Sequence, residues 1–102
     1  MQPMSKTAAI REARSHVSIQ GHGTSWQIIS PFDSGDLTGP STSTTATSYF
    51  DAQARARAIK ARIAITLMGR FDENADYAIY NDGYGPMTLE DLVEIGLKAS
   101  RV

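Results

Sequence analysis

Cysteine is missing from this 102-residue chain. Disulfides and thiolate zinc sites are therefore excluded, and stability must come from packing alone. Histidine is scarce: only His16 and His22 are present, and neither is expected to serve in metal ligation or acid–base work. Serine and threonine are plentiful, but no nucleophile-elbow pattern occurs. Gly21-His22-Gly23 lacks the third glycine and the strand-to-helix setting of a dinucleotide loop. No apolar run approaches the ~18 residues of a membrane span. The opening Met1-Gln2-Pro3-Met4-Ser5-Lys6 has no apolar signal core behind it. The expectation is a cytoplasmic protein with no membrane partner, no cofactor and no catalytic residues.

An acidic stretch invites one test for metal. Asp72-Glu73-Asn74-Ala75-Asp76 places oxygen-bearing side chains at the first, third and fifth positions of a calcium loop. The sixth position, which needs glycine, holds Tyr77, and the twelfth, which needs glutamate, holds Gly83. The segment reads as solvated acid, with no metal site.

What is present describes an α+β domain spanning Met1–Val102: an N-terminal helix, an antiparallel sheet of two to three strands, a long central helix and a C-terminal helix. Ser5 can cap a helix from Lys6 to Ser15, with Ala9, Ile10 and Ala13 as its apolar stripe. Val17 and Ile19 alternate with polar residues, as do Trp26 and Ile28. A turn at His22-Gly23 would set Ile19 opposite Trp26 and Val17 opposite Ile28, burying all four on one face. Pro31 then ends the second strand. The polar residues after it read as a surface loop, and the threonines from Thr42 onward read as an edge-type strand.

Asp51, or Ser48 before it, would cap the long helix, and Gly69 would stop it. That helix has two apolar faces. Phe50, Ala54, Ala58, Ala61, Ile65 and Met68 make one; Ala52, Ala56, Ile59, Ile63 and Leu67 make the other. Arg57 and Lys60 separate the faces along one flank, and Arg55 and Arg62 along the opposite flank. Such a helix is expected to be sandwiched, between the sheet on one side and a terminal helix or a second copy on the other. Residues 73–80 fit a short helix or a strand. Thr88 caps a final helix striped by Leu89, Leu92, Val93 and Leu97, and Met87 is placed to staple Leu92.

Charge is unevenly distributed. Residues 1–48 are balanced, residues 49–70 carry +4 and residues 71–102 carry −5. Mutual neutralisation of the basic helix and the acidic tail within the fold is one reading. The other makes one of them a partner-facing surface. Asp72, Glu73, Asp76 and Asp82 stand among Tyr77, Tyr80 and Tyr84, a combination suited to a basic protein surface: carboxylates steer and tyrosines anchor. The alternative is nucleic-acid binding through Arg55, Arg57, Lys60 and Arg62. It is less favoured, because those cations lie on two flanks and the tyrosines lie in the acidic region.

Three stretches carry a resemblance in size and style. They are Ser5-Lys6-Thr7-Ala8-Ala9-Ile10-Arg11-Glu12-Ala13-Arg14, Ser25-Trp26-Gln27-Ile28-Ile29-Ser30-Pro31, and the helix from Ala54 to Gly69. In this layout the chain resembles small proteins of phages and mobile elements, and among them the anti-CRISPR proteins. Those proteins share no common motif, so the resemblance transfers no functional residue. It implies a non-enzymatic inhibitor that occludes a basic nucleic-acid or nuclease-docking surface on a host Cas effector complex, although a few members are enzymes.

Overall fold

A computed structural model describes residues 3–82 and 87–102. The N-terminal helix α1 (Lys6–His16) starts where Ser5 accepts a hydrogen bond from the Ala8 N–H, and it buries Ala9, Ile10 and Ala13. Strands β1 (Ser18–His22), β2 (Ser25–Asp33) and β3 (Asp36–Ala46) follow and form one antiparallel sheet in the order β1-β2-β3. The long helix α2 (Tyr49–Leu67) comes next, then α3 (Glu73–Asp82) and α4 (Leu89–Ala99). The protein is α+β, with three strands in its sheet.

The first hairpin departs from its expected register by two residues. Ile19 faces Ile28 and Gly21 faces Trp26, so Gly23-Thr24, and not His22-Gly23, makes the turn. Gly23 lies in the left-handed region at φ 61°, the requirement at the first central position of a II′ turn. A two-residue shift preserves the faces, so Ile19, Trp26 and Ile28 still point the same way. Burial is nevertheless uneven. Ile28 is fully buried, Ile19 and Trp26 are half-covered, and Val17 is buried as the C-cap of α1 rather than as a strand residue. Trp26 stays near the surface because its indole N–H donates to the Gly23 carbonyl and its ring packs on Tyr49, with centroids 4.9 Å apart.

The second hairpin corrects two further expectations. Pro31 does not end β2, and the residues after Ser34 are not a loop. β2 runs on to Asp33, the chain turns at Ser34-Gly35, and β3 begins at Asp36. Pro31 is tolerated because β1 pairs with β2 only as far as Ile29, so beyond that point β2 has a neighbour on one side alone and an edge position accepts the missing N–H. The turn is local chemistry: the Gly35 N–H donates to the Asp33 carboxylate at 2.9 Å.

Helix α2 is covered on both faces. It packs against all three strands on one side and against α1, α3 and α4 on the other. Its cap is Ser48, whose hydroxyl accepts from the Asp51 N–H; Asp51 itself, within the first turn, accepts from Arg55 Nε. Gly69, at φ 70°, follows the C-cap as expected. Six alanines of α2 are buried (Ala52, Ala54, Ala56, Ala58, Ala61 and Ala64), together with Ile63 and Ile65. Phe50 is an exception to the two-faced pattern, since it is largely exposed. On the helical side α4 comes so close that a Cβ on Gly96 would lie 2.3 Å from Ile65 Cδ1. Residues 73–80 are helical, which settles that ambiguity, and Thr88 caps α4 by accepting from the Asp91 N–H. No helix among the described residues is long and apolar enough to cross a membrane.

The hairpin register can be tested at Gly21. It adopts φ 139°, and an added Cβ would lie 2.2 Å from the Ser25 carbonyl oxygen and 2.8 Å from Trp26 Cα. Both atoms are backbone, so no rotamer change relieves the clash. Gly21→Ala should cost about 1–3 kcal/mol, read as a lower urea midpoint at unchanged slope. A wild-type midpoint would mean that the strands pair differently.

Candidate functional site

The two flanks of α2 become two clefts. The first opens between the sheet, α2 and α3, with a volume of about 250 Å³. Arg55, Ile59 and Arg62 of α2, Tyr80 of α3, Phe32 of β2 and Thr42 and Thr44 of β3 line it. It continues into a shallower cleft that shares Phe32 and Arg62 and ends at Phe71. There the Arg62 guanidinium sits 5.4 Å from the Phe71 ring centre, within cation–π range. The second cleft, about 290 Å³, lies on the opposite flank and is lined by Arg57, Lys60, Gln53 and Tyr49 of α2 and by Arg14 of α1.

This geometry revises one sequence argument. Tyr80 lies in the acidic segment of the chain, yet the fold brings it to Arg55 and Arg62. Aromatic and basic side chains are therefore interleaved in space although they are separated in sequence. Phe32, 74% exposed, was not foreseen as a site residue. The signal was there: one large aromatic at the head of a polar stretch with no apolar neighbour at strand spacing.

The acidic candidates are dispersed. One Asp72 carboxylate oxygen caps α3 by accepting from the Ala75 N–H at 2.9 Å, and the other accepts from the Arg101 N–H at 2.8 Å. Those hydrogen bonds hold the Asp72 carboxyl below its ordinary range. Its role is structural: it ties the C-terminal residues to the start of α3. Asp76 is half-buried, with one carboxylate oxygen enclosed. Glu73, Tyr77 and Tyr80 are exposed at helical spacings of four and three, on one face of α3. Asp82 ends that helix, and Tyr84 lies outside the described residues.

Neutralisation of the acidic segment comes from an unexpected source. Glu90 and Glu94 of α4 pair with Arg14 and Lys6 of α1, not with the cations of α2. Arg55 pairs within its own helix, with Asp51. Among the described residues no group of three or more histidines or carboxylates is placed to hold a metal ion.

The α1–α4 ion pairs make a pH prediction. Hydrogen bonding to its own backbone N–H, then to Arg14, holds the Glu90 carboxyl below its ordinary value of 4.5, and Lys6 does the same for Glu94. A carboxylate with a depressed folded pKa stabilises the fold above its unfolded value, and that stabilisation is lost as pH falls through the folded value. Thermal unfolding of a Glu90→Gln/Glu94→Gln variant should thus decline less between pH 5 and pH 3 than that of the parent chain. The pairs are exposed, so their contribution is small and shrinks with added salt. Identical acid limbs would remove them from the stability of the fold.

Comparison with known proteins finds no matching family model, no similar curated protein and no similar solved structure.

Proposed function

We propose that this chain is a non-enzymatic binding protein whose partner is another protein, engaged through the aromatic face made by Phe32, Tyr77 and Tyr80. One observation carries the reading. Phe32 and Tyr77 are each 74% exposed and Tyr80 is 42% exposed, whereas among the described isoleucines, leucines and valines only Val102 is exposed. Phe32 and Tyr80 line the same cleft, and Tyr77 lies one turn before Tyr80 on the same helix. Large exposed rings at one place cost solubility and are the side chains that anchor protein interfaces.

Target and effect follow from the resemblance in layout. It supports an inhibitor of a host complex, acting by covering a basic docking surface, with Glu73 beside the tyrosines as the steering charge. The carboxylate contribution is smaller than the net charge of the segment suggests, because Asp72, Glu90 and Glu94 are already engaged inside the fold.

Nucleic-acid binding is the second reading, and a specific observation favours it: Arg55 and Arg62 share a cleft with Tyr80 and Phe32. Stacking rings beside cations suit a single strand. Only two of the four cations stand there, however, since Arg57 and Lys60 line the opposite flank.

Two variants separate the readings once circular dichroism has shown both to be folded. Tyr77→Ala/Tyr80→Ala should weaken capture of the protein partner from bacterial lysate by tenfold or more, the loss of about 1.4 kcal/mol or more expected of interface anchors. Arg55→Gln/Arg62→Gln should leave it within a few-fold of the parent. If the second variant loses the partner and the first retains it, the aromatic face is the wrong surface. Tight, saturable binding of DNA or RNA alone would replace the protein-partner reading with the nucleic-acid one.

A further inference from the structure

The sheet has two edges, and they are finished differently. At one edge β1 is only 5 residues long, and a short edge strand offers little to pair with. At the other, β3 runs for 11 residues and has a neighbour, β2, on one side alone. Its first half is blunted by the charge of Asp36, by Pro40, which lacks an N–H, and by the register shift of β2 at Pro31/Asp33. Its second half has none of these devices. Ser41, Thr42, Ser43 and Thr45 are exposed, and no charged residue occurs from Leu37 to Ser48. No other strand among the described residues pairs with this edge.

An open edge is a row of backbone N–H and C=O groups, and a strand that pairs with it gains main-chain hydrogen bonds. The side chains select the occupant. Two copies of one strand related by a two-fold axis run antiparallel, with the axis perpendicular to the sheet. Such an axis keeps each face of the sheet continuous, so it must fall where a residue meets its own copy. At Ser43, the middle of Ser41–Thr45, it sets Ser43 against Ser43, Thr42 against Thr44 and Ser41 against Thr45. Every pair is then two hydroxyl residues, which are favourable cross-strand partners, and no like charges meet. Thr42 and Thr44 line the aromatic cleft, so Ser41, Ser43 and Thr45 point to the opposite face. There they offer a foreign strand neither a charge nor an apolar pocket, whereas a second copy is matched on both faces.

We propose that Ser41–Thr45 of β3 pairs antiparallel with the same segment of a second copy, joining two three-stranded sheets into one of six strands. The perpendicular axis leaves both α2 helices on the same side of that sheet. Because Thr42 and Thr44 lie on the paired segment, the aromatic clefts of the two copies become neighbours across the axis. So short a paired segment makes a small interface, and the dimer is a weak one that forms at micromolar or higher concentration. Pairing of this kind stands whether or not the aromatic face binds another protein.

Sedimentation velocity of the full chain over a concentration series is the readout, with circular dichroism confirming that each variant is folded. The parent should pass from monomer to dimer as concentration rises and go no further, since a two-fold interface closes on itself. Ser43 is exposed and stands opposite Ile29 of β2, so a longer side chain there can lie along Ile29 without disturbing the core. Ser43→Lys and Ser43→Glu each set like charges face to face at the axis, and each should raise the dimer Kd about tenfold or more. Mixing the two in equal amounts sets lysine against glutamate and should restore a dimer at least as tight as that of the parent. A parent that stays monomeric up to millimolar concentration would overturn the proposal, as would a dimer that both single variants retain unchanged. Loss in both variants with no recovery on mixing would overturn the two-fold pairing at Ser43. Species that keep growing with concentration would overturn the closed dimer in favour of open, head-to-tail contacts. A monomeric parent whose amides at Ser41–Thr45 gain protection from hydrogen exchange only when another protein is bound would give the edge to a foreign strand instead.

Discussion

Everything in this fold depends on one helix being covered on two opposite sides. Helix α2 can serve two layers because its buried positions are mostly alanine, so neighbours approach its backbone closely without filling the space with side chains. The partner face answers in kind. Gly96 of α4 leaves the room that Ile65 occupies, and Ile79 of α3 reaches the same spot, where an added Cβ would lie 3.4 Å from its Cδ1. Close packing of this kind gains dispersion energy in proportion to the contacts made, and it tolerates no added methyl without strain. A chain without cysteine has no covalent alternative. Covering two faces also dictates where charge can go, since only the two narrow flanks of α2 remain for Arg55, Arg57, Lys60 and Arg62.

That constraint changes how the charge of the chain is to be understood. A +4 segment followed by a −5 segment suggests simple pairing of the two. The fold instead sends Glu90 and Glu94 to α1 and uses Asp72 as a cap and tether. The acidic surface is smaller than the sequence implies. The cations of α2 line the clefts on its two flanks, Arg55 and Arg62 beside exposed aromatic rings. Exposed ion pairs such as Lys6–Glu94 add little stability, so their effect is chiefly to fix which charges stay at the surface.

Much of this was legible in the residues. Ser5, Thr88 and Gly69 mark helix ends by their own chemistry, and the double apolar periodicity of α2 correctly required two covering layers. Flank assignments of all four cations followed from the same periodicity. The hairpin register was harder: Ile19, Trp26 and Ile28 satisfy the alternation in either of two registers, and the choice rests on Gly21, whose conformation only the strand partner reveals. The threonine half of β3 was legible as an edge strand, but its first half, residues 36–41, read as a loop because aspartate, threonine, glycine, proline and serine there offer no apolar alternation. The meeting of Tyr80 with Arg55 and Arg62 is a tertiary fact. Nothing local in the acidic segment encodes it, which is why sequence order misjudged the surface.

Helix geometry sets a last limit on function. Arg55 and Arg57 are two residues apart, so they differ by about 200° around the helix axis. The faces between them are covered, by the sheet on one side and by helices on the other. A linear polyanion lying along one flank can reach Arg55 and Arg62, or Arg57 and Lys60, but not both pairs. The four cations therefore stand in two separate clefts, and substitutions at one pair should add to those at the other without coupling beyond their long-range field. The basic helix is thus better understood as the common wall of two clefts than as a single binding stripe.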